Sequence, residues 1–288
     1  MRDIHLVRYF SSLITISDGK VIKVTKPAIS HCPLAGFFNG GLKESAGFSP
    51  TRLKNEIKKV IEGKIARFGF CAKDRMLWKD EAVVPYGASE LIFHGLKNNA
   101  IDGGVVVCDG AGTVITDIPQ VIQGIGAWMH TIFKTSYIPE VAGKLRRYGC
   151  HILDKKGRID QRAGVVEAVK KGYKRIALTL NVFGDESLKD VRALESRHGI
   201  SIIILAVCTT GIKKRRLIEI EKYADMVWAC HSGDIKDQLG KKAIKTLSGA
   251  SPVYVLTEKG VKLISGYSPN IFELRKKIKG KYEIKNSC

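Results

Sequence analysis

Three cysteines stand where predicted strands end, and thiols in such places can bind metal or act as nucleophiles. Cys108, Cys208 and Cys230 each close or directly follow an apolar strand pattern. In an open parallel sheet, ligands bind outside the carboxyl ends of the strands, so these thiols would lie at the ligand-binding edge. Three roles stay open for them: packing as small apolar side chains, ligation of a metal or iron–sulfur cluster, and catalysis by a thiolate.

A metal site made of cysteines would have to draw on distant parts of this chain. The sequence has seven cysteines, and no two of them are near neighbours along the chain. This spacing excludes zinc ribbons and ferredoxin-type runs, which use local pairs, and it argues against a secreted disulfide framework. Two loop cysteines join the three at the strand ends, so the predicted metal ligands are Cys32, Cys71, Cys108, Cys208 and Cys230.

The first of the strand-end cysteines leads into a glycine-rich stretch, DGAGT, at residues 109–113. It resembles the start of a dinucleotide fingerprint, but Ile115 holds the place of the third glycine and no acidic residue follows about 20 residues later. A standard NAD site is therefore not predicted. Two alternatives remain: a phosphate- or carboxylate-binding nest made by Gly110, Gly112 and Thr113, and a tight turn without a ligand. Asp109 is a candidate for catalysis and for cofactor binding.

Two later loops carry further candidate residues. Thr209, Thr210 and Gly211 precede a predicted helix. Two hydroxyl groups at a helix N-terminus are suited to binding an anion. Simple capping of that helix by a threonine is the alternative. His231 is a candidate general base for the neighbouring Cys230, and Ser232 is a candidate cofactor contact.

The chain carries 48 lysines and arginines against 28 acidic residues, a net charge of +20. Such an excess favours anionic partners, and we expect a small anionic ligand or an acidic protein partner. Solvated helix faces are the alternative explanation of the charge. Nucleic-acid binding is a third and less favoured hypothesis, and no RNP motif, zinc finger or KH-type loop indicates specific recognition. Formation of a homo-oligomer stays open.

The hydropathy pattern predicts no membrane segment. No apolar run approaches the roughly 18 residues that a membrane-spanning helix needs. Arg2, Asp3 and Arg8 interrupt the apolar N-terminus. Such interruptions are untypical of a signal peptide. We therefore expect a cytoplasmic protein.

Two portions position these candidate residues. Residues 1–100 predict an N-terminal α+β portion with a hairpin and helices, and residues 101–288 predict a Rossmann-like α/β domain with a mostly parallel sheet and a basic C-terminal tail. A last edge hairpin is predicted at Val261–Ile264. The predicted strands of the second portion are Gly104–Cys108, His151–Leu153, Arg175–Leu180, Ile200–Val207, Met226–Ala229 and Val253–Leu256, and its predicted helices are Pro139–Tyr148, Ala163–Lys171, Glu186–His198, Lys213–Tyr223 and Ile235–Leu247.

Several short motifs, taken together and in order, resemble the family called methanogenesis marker protein 8. The resemblance runs from about residue 20 to about residue 260. The chain departs from the pattern usual in that family at Tyr86 and at Cys208. The motifs are His31-Cys32-Pro33-Leu34, Phe68-Gly69-Phe70-Cys71, Tyr86-Gly87-Ala88-Ser89-Glu90, Val107–Thr116, Val121–Gly126, Ile138–Val141 and Thr209–Ile212.

The resemblance implies an oxygen-free cytoplasmic setting and a link to methanogenesis or to maturation of its cofactors. Together with the residues above, it suggests an enzyme or maturation factor that binds a small anionic or nucleotide-type ligand, with S-adenosylmethionine as one candidate. The alternative is a non-catalytic accessory protein that carries a metal or an iron–sulfur cluster and docks to an acidic partner.

Overall fold

The structure, a computed structural model, describes residues 2–32, 45–127, 130–247 and 251–270. The predicted tail after residue 270 lies outside the described residues. The strands are β1 (His5–Tyr9), β2 (Ser12–Ser17), β3 (Lys20–Val24), β4 (Gly103–Cys108), β5 (Gly112–Thr116), β6 (Thr131–Lys134), β7 (His151–Ile152), β8 (Arg175–Asn181), β9 (Ser201–Val207), β10 (Met226–Trp228), β11 (Lys245–Leu247) and β12 (Val253–Val255). The α-helices are α1 (Pro50–Phe68), α2 (Ala88–Lys97), α3 (Pro119–Gly126), α4 (Pro139–Arg147), α5 (Gln161–Lys170), α6 (Leu188–His198), α7 (Lys214–Tyr223) and α8 (Glu258–Leu263).

The first sheet is antiparallel and has the strand order β3-β2-β1-β6. Helix α1 packs on it through a buried stripe that includes Leu53, Ile57 and Ile61. The start of α1 follows the sequence signal, because proline is favoured in the first turn and serine at the N-cap. Pro50 occupies that turn, and the Ser49 hydroxyl accepts the N–H of Arg52 at 3.2 Å. The helix ends where the next residue, a glycine, turns left-handed.

The second sheet is mixed, with the order β11-β12-β10-β9-β8-β4-β5-β7. Only its four middle strands, β10, β9, β8 and β4, run parallel, and the pairs outside them are antiparallel. The prediction of a mostly parallel, Rossmann-like sheet is therefore corrected to a mixed α/β architecture with two sheets. Two of the antiparallel pairs, β4–β5 and β11–β12, have a physical reason in short connections, which fold the chain back beside the strand it has just left, whereas parallel neighbours need long crossovers.

The sheet departs from the predicted pattern most clearly after β4. Residues 109–111 form a tight turn, closed by the pairing of Cys108 with Gly112, and the chain returns as β5. Gly110 and Gly112 adopt φ values of 79° and 76°. An L-residue with a side chain rarely adopts such values, so the glycines serve the turn itself.

Two elements near the C-terminus also differ from the prediction. The stretch expected to be a helix over Ile235–Leu247 consists of a π-helical turn at Ile235–Leu239, a 3₁₀ turn and strand β11. The expected hairpin at Val261–Ile264 is instead part of helix α8 and the residue that follows it. The Thr257 hydroxyl caps this helix by accepting the N–H of Gly260 at 3.3 Å. A threonine at the N-cap favours a helix start over a hairpin.

Helices cover both faces of the mixed sheet, as the sequence predicted. Helices α2, α3 and α4 bury apolar side chains on one face, and α5, α6 and α7 do so on the other. The division at residue 100 stays a prediction: β6, from residues 131–134, completes the first sheet, whereas α2, from residues 88–97, packs against α3 on the second. Over the described ranges, no helix has the length and apolarity needed to cross a membrane.

Candidate functional site

A cavity of about 310 Å³ lies at the carboxyl ends of the four parallel strands, bounded on another side by the first sheet. Val107 of β4, Asn181 of β8, Val207 of β9 and Trp228 of β10 contribute one wall. The volume falls at the lower end of the range of about 300–1,000 Å³ that is typical of small-molecule sites. The first sheet contributes Arg8, Tyr9, Phe10, Ser11, Thr131 and Ile132, and a loop before α2 contributes Val84, Pro85, Tyr86 and Gly87.

Cys32, Cys208 and Cys230 line this cavity, whereas the other predicted metal ligands do not. Cys208 and Cys230 closely follow the ends of β9 and β10, and both adopt left-handed backbone conformations, with φ values of 68° and 47°. A non-glycine residue in this region costs on the order of 1–3 kcal/mol, and such residues cluster at active sites and ligand clamps. Phe10 and Ser11 of the lining share this conformation, so the backbone marks this part of the cavity as a candidate site without singling out the thiols.

Burial dominates the electrostatics of both thiols. It raises the pKa of Cys208 to about 12, with the neighbouring Cys230 adding to the effect and with the hydroxyl of Thr131 opposing it. Burial also raises the pKa of Cys230, but the backbone N–H and hydroxyl groups of Thr209, the N–H of Cys208 and the charge of Arg8 oppose it. At neutral pH we therefore expect both thiols to be protonated. The groups around Cys230 stabilise its thiolate form better than those around Cys208 do.

Arg8 places a positive charge in the cavity wall beside these thiols. Its Nη2 donates hydrogen bonds to the Ser11 hydroxyl and to the Thr210 carbonyl, both at 2.9 Å. Its guanidinium carbon lies 4.1 Å from the ring centre of Phe183. This is a cation–π contact, which holds the guanidinium against the ring. Among the described residues no carboxylate forms an ion pair with Arg8, so its charge is available to an anion. In the sequence, Arg8 stands out only as an interruption of the apolar N-terminus.

Thr209 and Thr210 join the loop after β9 to the loop after β10. The Thr209 hydroxyl donates to the carbonyls of Trp228 and Ala229, at 2.6 and 3.0 Å, and the N–H of His231 donates to the Thr210 hydroxyl at 3.1 Å. Neither threonine caps helix α7, because the residue at its N-cap is a lysine with no side-chain cap bond. The threonines instead hold the two cysteine-bearing loops together, and only Thr210 lines the cavity.

The other predicted residues of these loops lie outside the cavity lining. Gly211 adopts a φ of 78° in the turn that leads to α7. His231 is exposed, and its ring centre lies 6.4 Å from that of His31, so the structure does not place it as a base for Cys230. Ser232 is buried and its hydroxyl accepts the N–H of Ile235 at 3.4 Å.

Cys71 and Cys108 surround a buried ion pair that lies away from the cavity lining. Arg75 and Asp109 are both fully buried, and the Arg75 Nε donates to the Asp109 carboxylate at 2.9 Å. The other carboxylate oxygen accepts the N–H of Cys71 at 2.6 Å. Burial and the charge of Asp109 raise the pKa of both thiols well above the usual value. These two thiols are therefore buried and protonated, and neither lines the cavity.

The predicted anion nest is filled by protein atoms. The N–H of Gly110 donates to the Thr135 hydroxyl at 2.8 Å, and the N–H of Thr113 donates to the Arg158 carbonyl at 2.9 Å. The Thr113 hydroxyl donates to Gln161 at 2.8 Å. These groups face neighbouring segments rather than the cavity, which favours the alternative of a tight turn without a ligand.

Three polar residues at or near the cavity were not predicted from the sequence. Ser251 and His130 line it, and the Ser251 hydroxyl and the His130 Nε2 are buried without a hydrogen-bond partner in the described part of the chain. Burial and the nearby Lys64 lower the pKa of His130 well below its usual value, and burial lowers the pKa of Lys64 to about 7. Lys64 had a detectable signal, since it continues the apolar stripe of α1 at helical spacing.

The described cysteines form no disulfide. Within the residues that the structure places, no group of three histidine, cysteine, aspartate or glutamate side chains has an arrangement suited to a metal ion. The five predicted ligands therefore separate into a buried pair beside Asp109 and three thiols in the cavity wall.

Fold and site together define a mixed α/β protein with a thiol-bearing cavity at the ends of its parallel strands. The chain belongs to the family described as "Uncharacterized protein conserved in archaea (DUF2099)", which it matches over residues 5–267. It is 35% identical over 252 residues to the uncharacterized protein MJ0054 of Methanocaldococcus jannaschii, a match covering 87% of this chain and 85% of the relative.

A comparison with solved structures finds a chain of the F420-reducing NiFe hydrogenase complex from Methanosarcina barkeri, determined after xenon derivatization. The match has 13% identity and a TM-score of 0.31, and it covers 67% of this chain and 80% of the other. A TM-score this low carries no argument about fold or function.

Proposed function

We propose that this protein binds a small molecule bearing a negatively charged group in the cavity, with Arg8 as the partner of that charge. The observation that carries the proposal is the placement of an arginine with no carboxylate partner among the described residues in a largely apolar wall. Only one nitrogen of its guanidinium forms hydrogen bonds to described residues, which leaves further donors for a carboxylate or phosphate.

The remaining walls favour an organic ligand over a simple ion. Tyr9, Phe10, Tyr86 and Trp228 bring aromatic surface to the cavity, and the indole N–H of Trp228 donates to the Tyr86 carbonyl at 2.8 Å. Aromatic and apolar walls with a few placed polar groups are typical of cofactor sites. We therefore extend the proposal to a nucleotide-type ligand, with S-adenosylmethionine as one candidate, and to an enzyme or maturation factor as the class of protein.

The biological setting that we propose is methane-producing archaea. The motifs resemble methanogenesis marker protein 8, and a relative occurs in Methanocaldococcus jannaschii. Both support a role linked to methanogenesis or to the maturation of its cofactors, in the cytoplasm.

Replacing Arg8 with methionine tests the binding proposal. A charge-assisted hydrogen bond contributes about 1.5–3 kcal/mol, so we expect any anionic ligand of the wild-type protein to bind Arg8→Met about 10- to 100-fold more weakly. The ligands to screen by thermal shift, and then by calorimetry, are S-adenosylmethionine, adenosine nucleotides and small carboxylates.

The matched control is Arg2→Met, which removes an equal charge from a side chain that is 88% exposed and does not line the cavity. Arg2→Met should bind each ligand with the same affinity as the wild type. The comparison separates a contact in the cavity from the general effect of the protein's charge. Equal affinity in Arg8→Met and wild type, or no shift with any anionic ligand, would refute the proposal.

A second candidate function is that of a metal- or cluster-carrying protein that docks to an acidic partner. The observation that favours it is the presence of Cys32, Cys208 and Cys230 in the wall of one cavity, although their side chains are not arranged around a metal position in this structure. Protein purified without oxygen should then show visible absorption and contain iron and sulfide, and both should disappear in Cys208→Ser. A colourless, metal-free preparation that is normally folded would exclude this candidate.

A further inference from the structure

Cys208 and Cys230 lie at the ends of neighbouring parallel strands. Strands β9 and β10 pair Ala206 with Val227, so the same register continued places Cys208 opposite Ala229 and one residue short of Cys230. Hydrogen bonds from the Thr209 hydroxyl to the carbonyls of Trp228 and Ala229 hold the two loops side by side. Strands about 4.8 Å apart with a rise of about 3.3 Å per residue would place residues offset by one position roughly 6 Å apart. Disulfides form at Cα separations of about 4.4–6.8 Å.

The electrostatics of the two thiols agree with this placement. Each acts on the pKa of the other: Cys230 raises that of Cys208, and the N–H of Cys208 lowers that of Cys230. Arg8 lowers the pKa of both thiols, so the same guanidinium faces the pair and the cavity. Both residues also line one wall of the cavity.

We propose that Cys208 and Cys230 form a dithiol–disulfide couple that exchanges with a small organic disulfide held in the cavity through its negatively charged group. The negative charge of the bound disulfide rests on the proposed function of Arg8. The dithiol–disulfide couple of Cys208 and Cys230 does not rest on it. This assigns a reaction class to the cavity: thiol–disulfide exchange with a low-molecular-weight partner.

The exchange balances without a further reactant. The Cys230 thiolate attacks one sulfur of the bound disulfide, whose S–S bond breaks, and the departing thiolate takes up a proton. Cys208 then loses its proton and attacks the Cys230 sulfur, so that the second thiolate leaves and the Cys208–Cys230 bond forms. The protein loses two electrons and two protons, and the small disulfide becomes two thiols.

Cys230 is assigned the first attack because its surroundings stabilise the thiolate better. The N–H groups of Thr209 and Cys208 and the Thr209 hydroxyl act on it, whereas at Cys208 the hydrogen bond that opposes burial comes from the hydroxyl of Thr131. Burial slows both attacks, and bringing the disulfide into the cavity compensates by proximity.

Two chromogenic disulfides test the couple: neutral 4,4′-dithiodipyridine and anionic 5,5′-dithiobis(2-nitrobenzoate). The reduced full-length protein is treated with each reagent under native conditions, and intact mass and peptide mapping follow the products. We expect a linked Cys208–Cys230 peptide without a retained reagent group. Cys208→Ser should stop at a stable mixed disulfide on Cys230, and Cys230→Ser should react at Cys208 at least about tenfold more slowly.

Cys32→Ser is the matched control, since Cys32 lines the same cavity but follows neither strand. It should still form the linked peptide. Absence of the linked peptide in folded wild-type protein with both reagents would overturn the proposal, whether or not the serine variants fold.

The charge of the reagent separates this proposal from the proposed function. Arg8→Met should slow both reagents, because the charge of Arg8 favours the thiolates, and it should slow the anionic reagent about tenfold more than the neutral one, because a charge-assisted contact is lost only with the former. Linkage with both reagents, and equal slowing of the two reagents in Arg8→Met, refutes the anion site and supports the couple. Anion binding that depends on Arg8, without any linkage, supports the anion site and refutes the couple.

Discussion

Replacing Asp109 with asparagine is expected to lower the free energy of unfolding by about 3–5 kcal/mol, the range observed when one partner of a buried ion pair is removed. The substitution leaves the fully buried guanidinium of Arg75 without a counter-charge. The amide nitrogen of the new side chain would also face either this guanidinium or the N–H of Cys71. An amide nitrogen cannot accept a hydrogen bond from either donor.

Urea unfolding followed by circular dichroism measures this effect. The control is Glu62→Gln, which breaks an exposed pair with Lys58 on α1. Loss of such a surface pair should change stability by less than about 1 kcal/mol. If Asp109→Asn proved as stable as this control, the ion pair would not be a main support of the fold.

The double variant Arg75→Met/Asp109→Leu distinguishes the penalty of an unpaired charge from the net value of the pair. Replacing both partners by apolar groups removes the uncompensated charge. The double variant should therefore lose less free energy of unfolding than the two single variants lose in sum. Some loss will remain, because Arg75 also donates to the carbonyls of Met76, Gly124 and Ile125.

Replacing Gly112 with alanine is expected to destabilise the protein by about 2–5 kcal/mol, from two additive causes. Gly112 has a left-handed backbone, with a φ of 76°. This conformation costs a non-glycine residue about 1–2 kcal/mol. A Cβ atom at this position would also lie 2.4 Å from the Arg158 carbonyl oxygen and 2.5 Å from the Gly157 carbonyl carbon. The backbone must then move, at a further cost of about 1–3 kcal/mol.

Gly172→Ala is the matched control for this substitution. Gly172 has a φ of 87°, but a Cβ there meets no atom within 4 Å. Only the cost of the left-handed backbone, about 1–2 kcal/mol, should therefore appear. The difference between the two variants in urea unfolding measures the close approach of the β4–β5 turn to residues 157–158. Equal losses would contradict that approach.

These two predictions also show how far local signals reach in this chain. The serine and proline at the start of α1, the turn at residues 17–20 and the alternation of apolar strands with amphipathic helices are local patterns, and the structure has the corresponding elements. Local sequence does not decide whether the chain returns as an antiparallel strand after a short turn. The glycines after β4 are compatible with a ligand loop or a hairpin, and packing of Gly112 against residues 157–158 decides for the hairpin.

That Cys208 and Cys230 follow strands at the ligand-binding edge could be read from the chain residue by residue, because an apolar run and the polar loop after it are visible without any fold. Which thiols share a cavity could not be read in this way. Strand order and crossover packing set those distances, so Cys108 is buried beside Asp109 while Cys32 joins the other two. The same holds for Arg8, which supplies the charge from far earlier in the chain, because only folding places the first sheet over the ends of the second.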